Sequence, residues 1–165
     1  MKSDVRHLKQ HSNKTMIQNK QGNLLLADVD ALVNTVNCVG VMGKGLALQF
    51  KQAFPDNFKA YAKACVQGEV QAGRMHIHDN GGLINPRWII NFPTKRHWRD
   101  NSRLEDVASG LVALVSDVQR LGIQTIAIPP LGCGLGGLSW TDVRPMIEQT
   151  FMELPNVAVH LYEPS

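Results

Sequence analysis

The stretch Thr125-Ile126-Ala127-Ile128-Pro129-Pro130-Leu131-Gly132-Cys133-Gly134-Leu135-Gly136-Gly137-Leu138 decides the fold. Its first four residues form a short apolar run that reads as a buried strand. A helical pattern resumes after Ser139, with Val143, Met146, Ile147 and Phe151 on one face. Between the two, glycines at 132, 134, 136 and 137 leave the backbone bare, so its N–H groups can face outward at close range, as a phosphate cradle requires.

Upstream, Val41-Met42-Gly43-Lys44-Gly45-Leu46-Ala47 repeats the arrangement between a strand-like run, Ala31–Val36, and a helical run, Leu46–Phe54. Two strand–loop–helix glycine loops suggest a ligand with two phosphates. Neither is a P-loop. Gly132, Gly134 and Gly137 spell G-x-G-x-x-G, but no acidic residue follows about 20 positions on in a strand, as a dinucleotide fold requires. Taken singly, each loop also reads as a tight turn that uses glycine for positive φ.

Further strand-like runs are Met16–Lys20, Arg74–His78, Trp88–Phe92 and Val157–Tyr162. Helical spacing recurs over Asn57–Gln67, where Pro55-Asp56 ends one helix and caps the next. It recurs again from Leu104 to Leu121, which stops at Gly122. Strands interleaved with helices indicate an α/β layered domain whose ligand loops lie at the carboxyl ends of the strands. One ordered domain is expected over 16–165. The polar, aperiodic stretch 1–15 is expected to be a disordered extension.

The chain has 165 residues, 44% of them hydrophobic and 19% charged, enough for one ordinary core. No apolar run reaches the roughly 18 residues of a membrane span, and the first fifteen residues lack the apolar centre of a signal peptide. A cytoplasmic monomer with no membrane partner is expected. Cys38, Cys65 and Cys133 form no C-x-x-C pair and read as thiols in a reducing compartment. Cys133, between loop glycines, reads as a small filler of the loop floor or as a nucleophile near a helix start. His76 and His78 share a strand face, but no third ligand has a matching spacing, so no metal and no cofactor are expected.

The net charge of +3 comes from Lys2, Arg6, Lys9 and Lys14 against Asp4; the remainder is balanced. Local basicity is more informative: Lys95, Arg96, Arg99 and Arg103 cluster around His97 and Trp98. Such a segment can hold a phosphate backbone and stack a base, and it can equally be a solvated loop with a packed tryptophan.

Gly22-Asn23-Leu24, Ala31-Leu32-Val33-Asn34-Thr35-Val36-Asn37, Gly43-Lys44-Gly45 and the loop from Gly132 to Leu138, in that order, resemble the macrodomain family of ADP-ribose binders. The resemblance runs from Met16 to the C-terminus. VNTVN-CVGVMGKG, NFPTKRHWR and PPLGCGLGGLSW are similar to the branch of DNA-repairing antitoxins that oppose DNA ADP-ribosyltransferases, which is related to human terminal ADP-ribose protein glycohydrolase.

The resemblance implies a three-layer α/β/α fold with a central mixed sheet, and a glycohydrolase that removes ADP-ribose from thymidine in DNA; the alternatives it leaves open are an ADP-ribose-binding reader and a hydrolase of ADP-ribosyl-glutamate or ADP-ribose 1″-phosphate. It also implies that the diphosphate lies between Gly43, Lys44, Gly45, Leu46 and Ala47 on one side and Pro130, Leu131, Gly132, Cys133, Gly134, Leu135 and Gly136 on the other. Asn23 and Leu24 fall at the adenine, with Asn23 where many macrodomains carry an aspartate, and Tyr162 falls where it can stack on the base. Asn34 and Thr94 fall among the ligand contacts. Asn37 falls beside the distal ribose, and Lys95 falls at the lysine this branch uses for catalysis. A lysine amine can attack the anomeric carbon when it is neutral, a form that a cationic neighbour such as Arg96 favours. Where the human relative has an acidic residue, this chain has Gly136. A thymine leaving group spreads its charge over two carbonyls and has less need of an acid. The implied partners are ADP-ribosylated single-stranded DNA, contacted by Arg96, Trp98 and Arg99, and a DarT-like toxin.

Overall fold

The computed structural model describes residues 16–165; the extension expected over 1–15 lies outside the described residues. Six strands form one sheet: β1 (Met16–Lys20), β2 (Ala31–Val36), β3 (His76–Asp79), β4 (Trp88–Pro93), β5 (Thr125–Ile128) and β6 (Ala158–Tyr162). Their order is β1-β6-β5-β2-β4-β3. Every neighbouring pair is parallel except β3 with β4, which makes the sheet mixed. The central strands are covered on both faces, which explains why β2 and β5 are buried almost throughout and do not alternate between apolar and exposed residues.

Four helices supply the covering layers: α1 (Gly45–Ala53), α2 (Pro55–Val66), α3 (Leu104–Leu121) and α4 (Trp140–Phe151). On one face Val107, Leu111, Leu114 and Val118 of α3 and Val143, Ile147 and Phe151 of α4 close over Val33, Ile90, Phe92, Ile126 and Val159. On the other, Phe50 and Tyr61 of α1 and α2 pack in two smaller clusters with Leu32, Ile89, Val36 and Met42. The fold is the three-layer α/β/α architecture expected.

The long α3 carries its apolar stripe at three- and four-residue spacing and ends at Gly122, whose φ of +65° lets the Ile123 N–H turn back to Val118 O at 3.0 Å. Most element ends differ from the sequence reading by one or two residues, and three differences have a clear physical reason. Strand β3 begins at His76 rather than Arg74, because pairing starts only where His76 faces Asn91. Pro55 opens α2 at its first position, so Asp56 sits inside the first turn instead of capping it. A short 3-10 turn, Leu24–Leu26, follows β1, and its N-cap is Asn23.

Candidate active site

Both glycine loops leave the sheet at the carboxyl ends of adjacent parallel strands, β2 and β5, and so meet over one edge. A Cβ placed on Gly45 would lie 3.6 Å from Leu135 Cδ1, which puts the two loops face to face across a narrow cleft. Among the described residues, the N–H groups of Gly134, Leu135 and Gly136 donate to no backbone or side-chain acceptor, and neither do those from Met42 to Ala47. The latter run into the first turn of α1, the positive end of its dipole. Backbone donors with nothing to bond converge on this cleft, as an anion site requires.

The early loop is shaped from beneath by Asn37. Its Nδ2 donates to Val41 O at 2.8 Å, its Oδ1 accepts from Val39 N–H at 3.0 Å, and the Tyr61 hydroxyl lies 2.8 Å from both its Oδ1 and its main-chain O, sharing one proton between them. Tyr61 is fully buried, and burial pushes its phenol well up, so the hydroxyl stays a donor. Asn37 is therefore a clasp for the Cys38–Val41 turn, with one amide N–H left over.

Lys95 is held beside this clasp. The N–H groups of Thr94 and Lys95 donate to Val36 O at 2.9 and 3.4 Å, and Cys38 N–H donates to Arg96 O at 3.3 Å. Pairing thus continues past the ends of β2 and β4, and half-buried Lys95 stands on an extension of the sheet next to Asn37. Arg96 is engaged elsewhere: its guanidinium binds Asp106 through two contacts of 3.2 and 3.1 Å. Its charge is partly met by that carboxylate, while its side chain stays 54% exposed. Trp98 remains 47% exposed, with the Arg99 guanidinium 4.6 Å above its ring and the His97 ring 5.3 Å away.

Other expected contacts are placed differently. Asn34 is fully buried, and its Nδ2 donates to Asn91 Oδ1 at 3.2 Å within a cluster that also holds Asn57 and His76. It supports β2 from the α2 side and does not line the cleft. Tyr162 is only 9% exposed and packs with Leu24, Leu32 and Phe50, so it offers no open face to a base. Leu24 and Leu131 bury their side chains in the core, leaving only backbone for a ligand. Asn23 Oδ1 accepts from Leu25 N–H at 3.0 Å, which spends one acceptor position on the 3-10 turn. Burial, and then the Asp142 carboxylate, push the Cys133 thiol up. It stays protonated, as a loop filler does and a nucleophile does not.

Two residues that the sequence did not single out matter here. Tyr61 was legible in principle, since Asn57, Tyr61 and Ala64 recur at helical spacing on the buried face of α2. Ser102 carried no signal, yet its N–H donates to Gly136 O at 2.9 Å and its side chain lies under the late loop. Among the described residues, no group of three or more His, Cys, Asp or Glu side chains is placed to hold a metal ion. No helix among them is long and apolar enough to cross a membrane. An open depression between β3 and α3, lined by Met75, Ile77, Ser116 and Arg120, lies away from the cleft, and its Arg120 already pairs with Asp117 at 3.0 Å.

Known proteins are similar to this chain in sequence and fold. The Macro domain model matches residues 33–147. A DNA ADP-ribosyl glycohydrolase of Thermus aquaticus is 56% identical over 149 residues, which are 90% of this chain and 41% of that protein. The chain therefore spans less than half the length of that relative. The macrodomain of Mycobacterium tuberculosis DarG superposes with a TM-score of 0.90 at 52% identity, covering 92% of this chain and 99% of that one. Thermosipho africanus DarTG in complex with ADP-ribose superposes with a TM-score of 0.86 at 33% identity, covering 92% of this chain and 42% of that one. By sequence, by fold and by its paired glycine loops, this chain belongs to the Macro domain family.

Proposed function

We propose that this chain binds ADP-ribose with its diphosphate between the two glycine loops and hydrolyses the bond joining ADP-ribose to thymidine in DNA. In that role it reverses a DarT-like transferase and acts as its antitoxin in the cytoplasm. The observation that carries the reading is the pair of facing loops with unbonded N–H groups, set beside a lysine on the sheet's extension. Relatives bearing the names DNA ADP-ribosyl glycohydrolase and DarG support the substrate class, and a DarTG structure that holds ADP-ribose supports the ligand.

In this reading Lys95 is the nucleophile. Its neutral Nζ attacks C1″ of the distal ribose, and the bond to thymine breaks with its electron pair. The imide anion, delocalised over two carbonyls, takes a proton from water. The new C–N adduct loses a proton and opens the ribose ring to an imine, and water then adds and returns the amine and free ADP-ribose. Gly136 offers no side chain to act as an acid, which suits a leaving group of this kind. Asn37 acts through its remaining N–H and through the turn it holds. Arg99 and Trp98 supply a cation and an aromatic face for the flanking single strand. The protein works as a monomer in this scheme.

The test is a side-by-side incubation with ADP-ribosylated thymidine DNA, an ADP-ribosylated glutamate peptide and ADP-ribose 1″-phosphate. Release of ADP-ribose from the DNA at the highest rate is expected. Tight ADP-ribose binding with no turnover of any of the three would make the protein a reader. Preference for either of the other two would reassign the substrate.

A further inference from the structure

Two buried side-chain polar atoms among the described residues have no hydrogen-bond partner: Asn34 Oδ1 and Ser102 Oγ. The second lies at the cleft. Ser102 is 7% exposed, in the segment that connects Lys95 to the start of α3. A Cβ on Gly136 would run into Ser102 Oγ and Gly132 O, and a Cβ on Gly132 would meet Ser102 Cβ at 3.1 Å. The hydroxyl therefore sits inside the curl of the late loop, against the backbone of Gly132 and Gly136. A buried hydroxyl without a partner is unfavourable, and the nearest chain to supply one is the late loop itself.

We infer that Ser102 is a positioning residue for the anion-binding loop. When a diphosphate engages the N–H groups of Gly134 to Gly136, the loop settles so that the Ser102 hydroxyl bonds to its backbone. The bond exists in the occupied loop and not in the free one, so its energy adds to ligand affinity and not to the resting fold. Because Ser102 N–H also holds Gly136 O, and the same segment begins at Lys95, seating the diphosphate fixes the position of the proposed nucleophile. The inference rests on the ADP-ribose reading above.

The test compares wild type, Ser102→Ala and Ser102→Cys by titration calorimetry with ADP-ribose and by thermal unfolding without ligand. Ser102→Ala is expected to weaken ADP-ribose binding roughly five- to ten-fold, the value of one neutral hydrogen bond. It should leave the ligand-free unfolding midpoint unchanged or raised, since it removes an unpartnered buried hydroxyl. Ser102→Cys, with its weak donor, should fall between. Affinity within two-fold of wild type in Ser102→Ala would overturn the inference. So would a lowered ligand-free midpoint accompanying the loss, which would mark the hydroxyl as part of the resting fold. Failure of the wild type itself to bind ADP-ribose would overturn the ligand reading, and this inference with it.

Discussion

Gly134→Val separates close approach of a ligand from stability of the loop, because the glycines of the late loop are not equivalent. A Cβ on Gly134 would meet nothing within 4 Å, and Gly134 is not among the glycines with positive φ. The substitution should therefore shift folding stability by less than about 1 kcal/mol, about 2–4 °C in midpoint for a chain of this size. The same side chain projects from the first of the three residues with unbonded N–H groups, where it keeps a phosphate from reaching them. Charge-assisted hydrogen bonds contribute about 1.5–3 kcal/mol each, so the loss of two weakens binding by roughly 4 kcal/mol, about a thousand-fold in Kd. Gly136→Ala provides the contrast: its Cβ would run into Ser102 Oγ and Gly132 O, so it should lower the ligand-free midpoint as well. Calorimetry with ADP-ribose, alongside thermal unfolding of both variants, reads the two effects apart. Unchanged ADP-ribose affinity in Gly134→Val, or a midpoint loss equal to that of Gly136→Ala, would refute the reasoning.

The remaining predictions concern chemistry, substrate and pH. Lys95→Ala should abolish release of ADP-ribose from DNA while leaving its affinity within a few fold, and borohydride should trap an adduct on the wild type alone; full turnover by the alanine variant would move the reaction to an activated water. Lys95→Arg should also be inactive, since a guanidinium stays protonated. Trp98→Ala and Arg99→Ala should raise KM for DNA substrates, and the latter should flatten their salt dependence, without altering binding of free ADP-ribose; equal losses for both ligands would mean the segment only shapes the cleft. His76 accepts from Asn91 Nδ2 at 3.0 Å, and burial, then His78, hold its imidazole below the ordinary value. The unfolded chain takes up the proton first, so stability should be complete above about pH 6.5 and fall as the pH drops below it. A urea-unfolding series should show that fall, and His76→Gln should flatten it.

The fold was legible wherever burial is continuous. Runs such as Ala31–Val36 and Thr125–Ile128 match their strands because the central sheet is covered on both faces. The edge strand β3 was overextended, since Arg74 and Met75 have a strand-like composition but no pairing partner. Three successive leucines carry no period, so the 3-10 turn at Leu24–Leu26 was invisible. At the site, both glycine loops and the neighbourhood of Lys95 were readable from spacing and motif. What escaped was the direction of polar side chains. Asn34 stands in a strand that feeds the cleft, but the pleat turns it toward Asn91 and Asn57 in the α2 layer. Arg96 and Asp106 lie ten positions apart, and only the turn into α3 brings them together. Ser102 matters through its contact with backbone more than 30 residues away, which composition cannot express.

The clasp built on Asn37 bears on how fast a ligand is captured. One amide holds Val39 and Val41, and a phenol from α2 holds the amide. The Cys38–Val41 turn that leads into the early loop is thus constrained from two directions at once, so this turn needs no ordering on arrival. Encounter, rather than rearrangement, then governs association at the early loop.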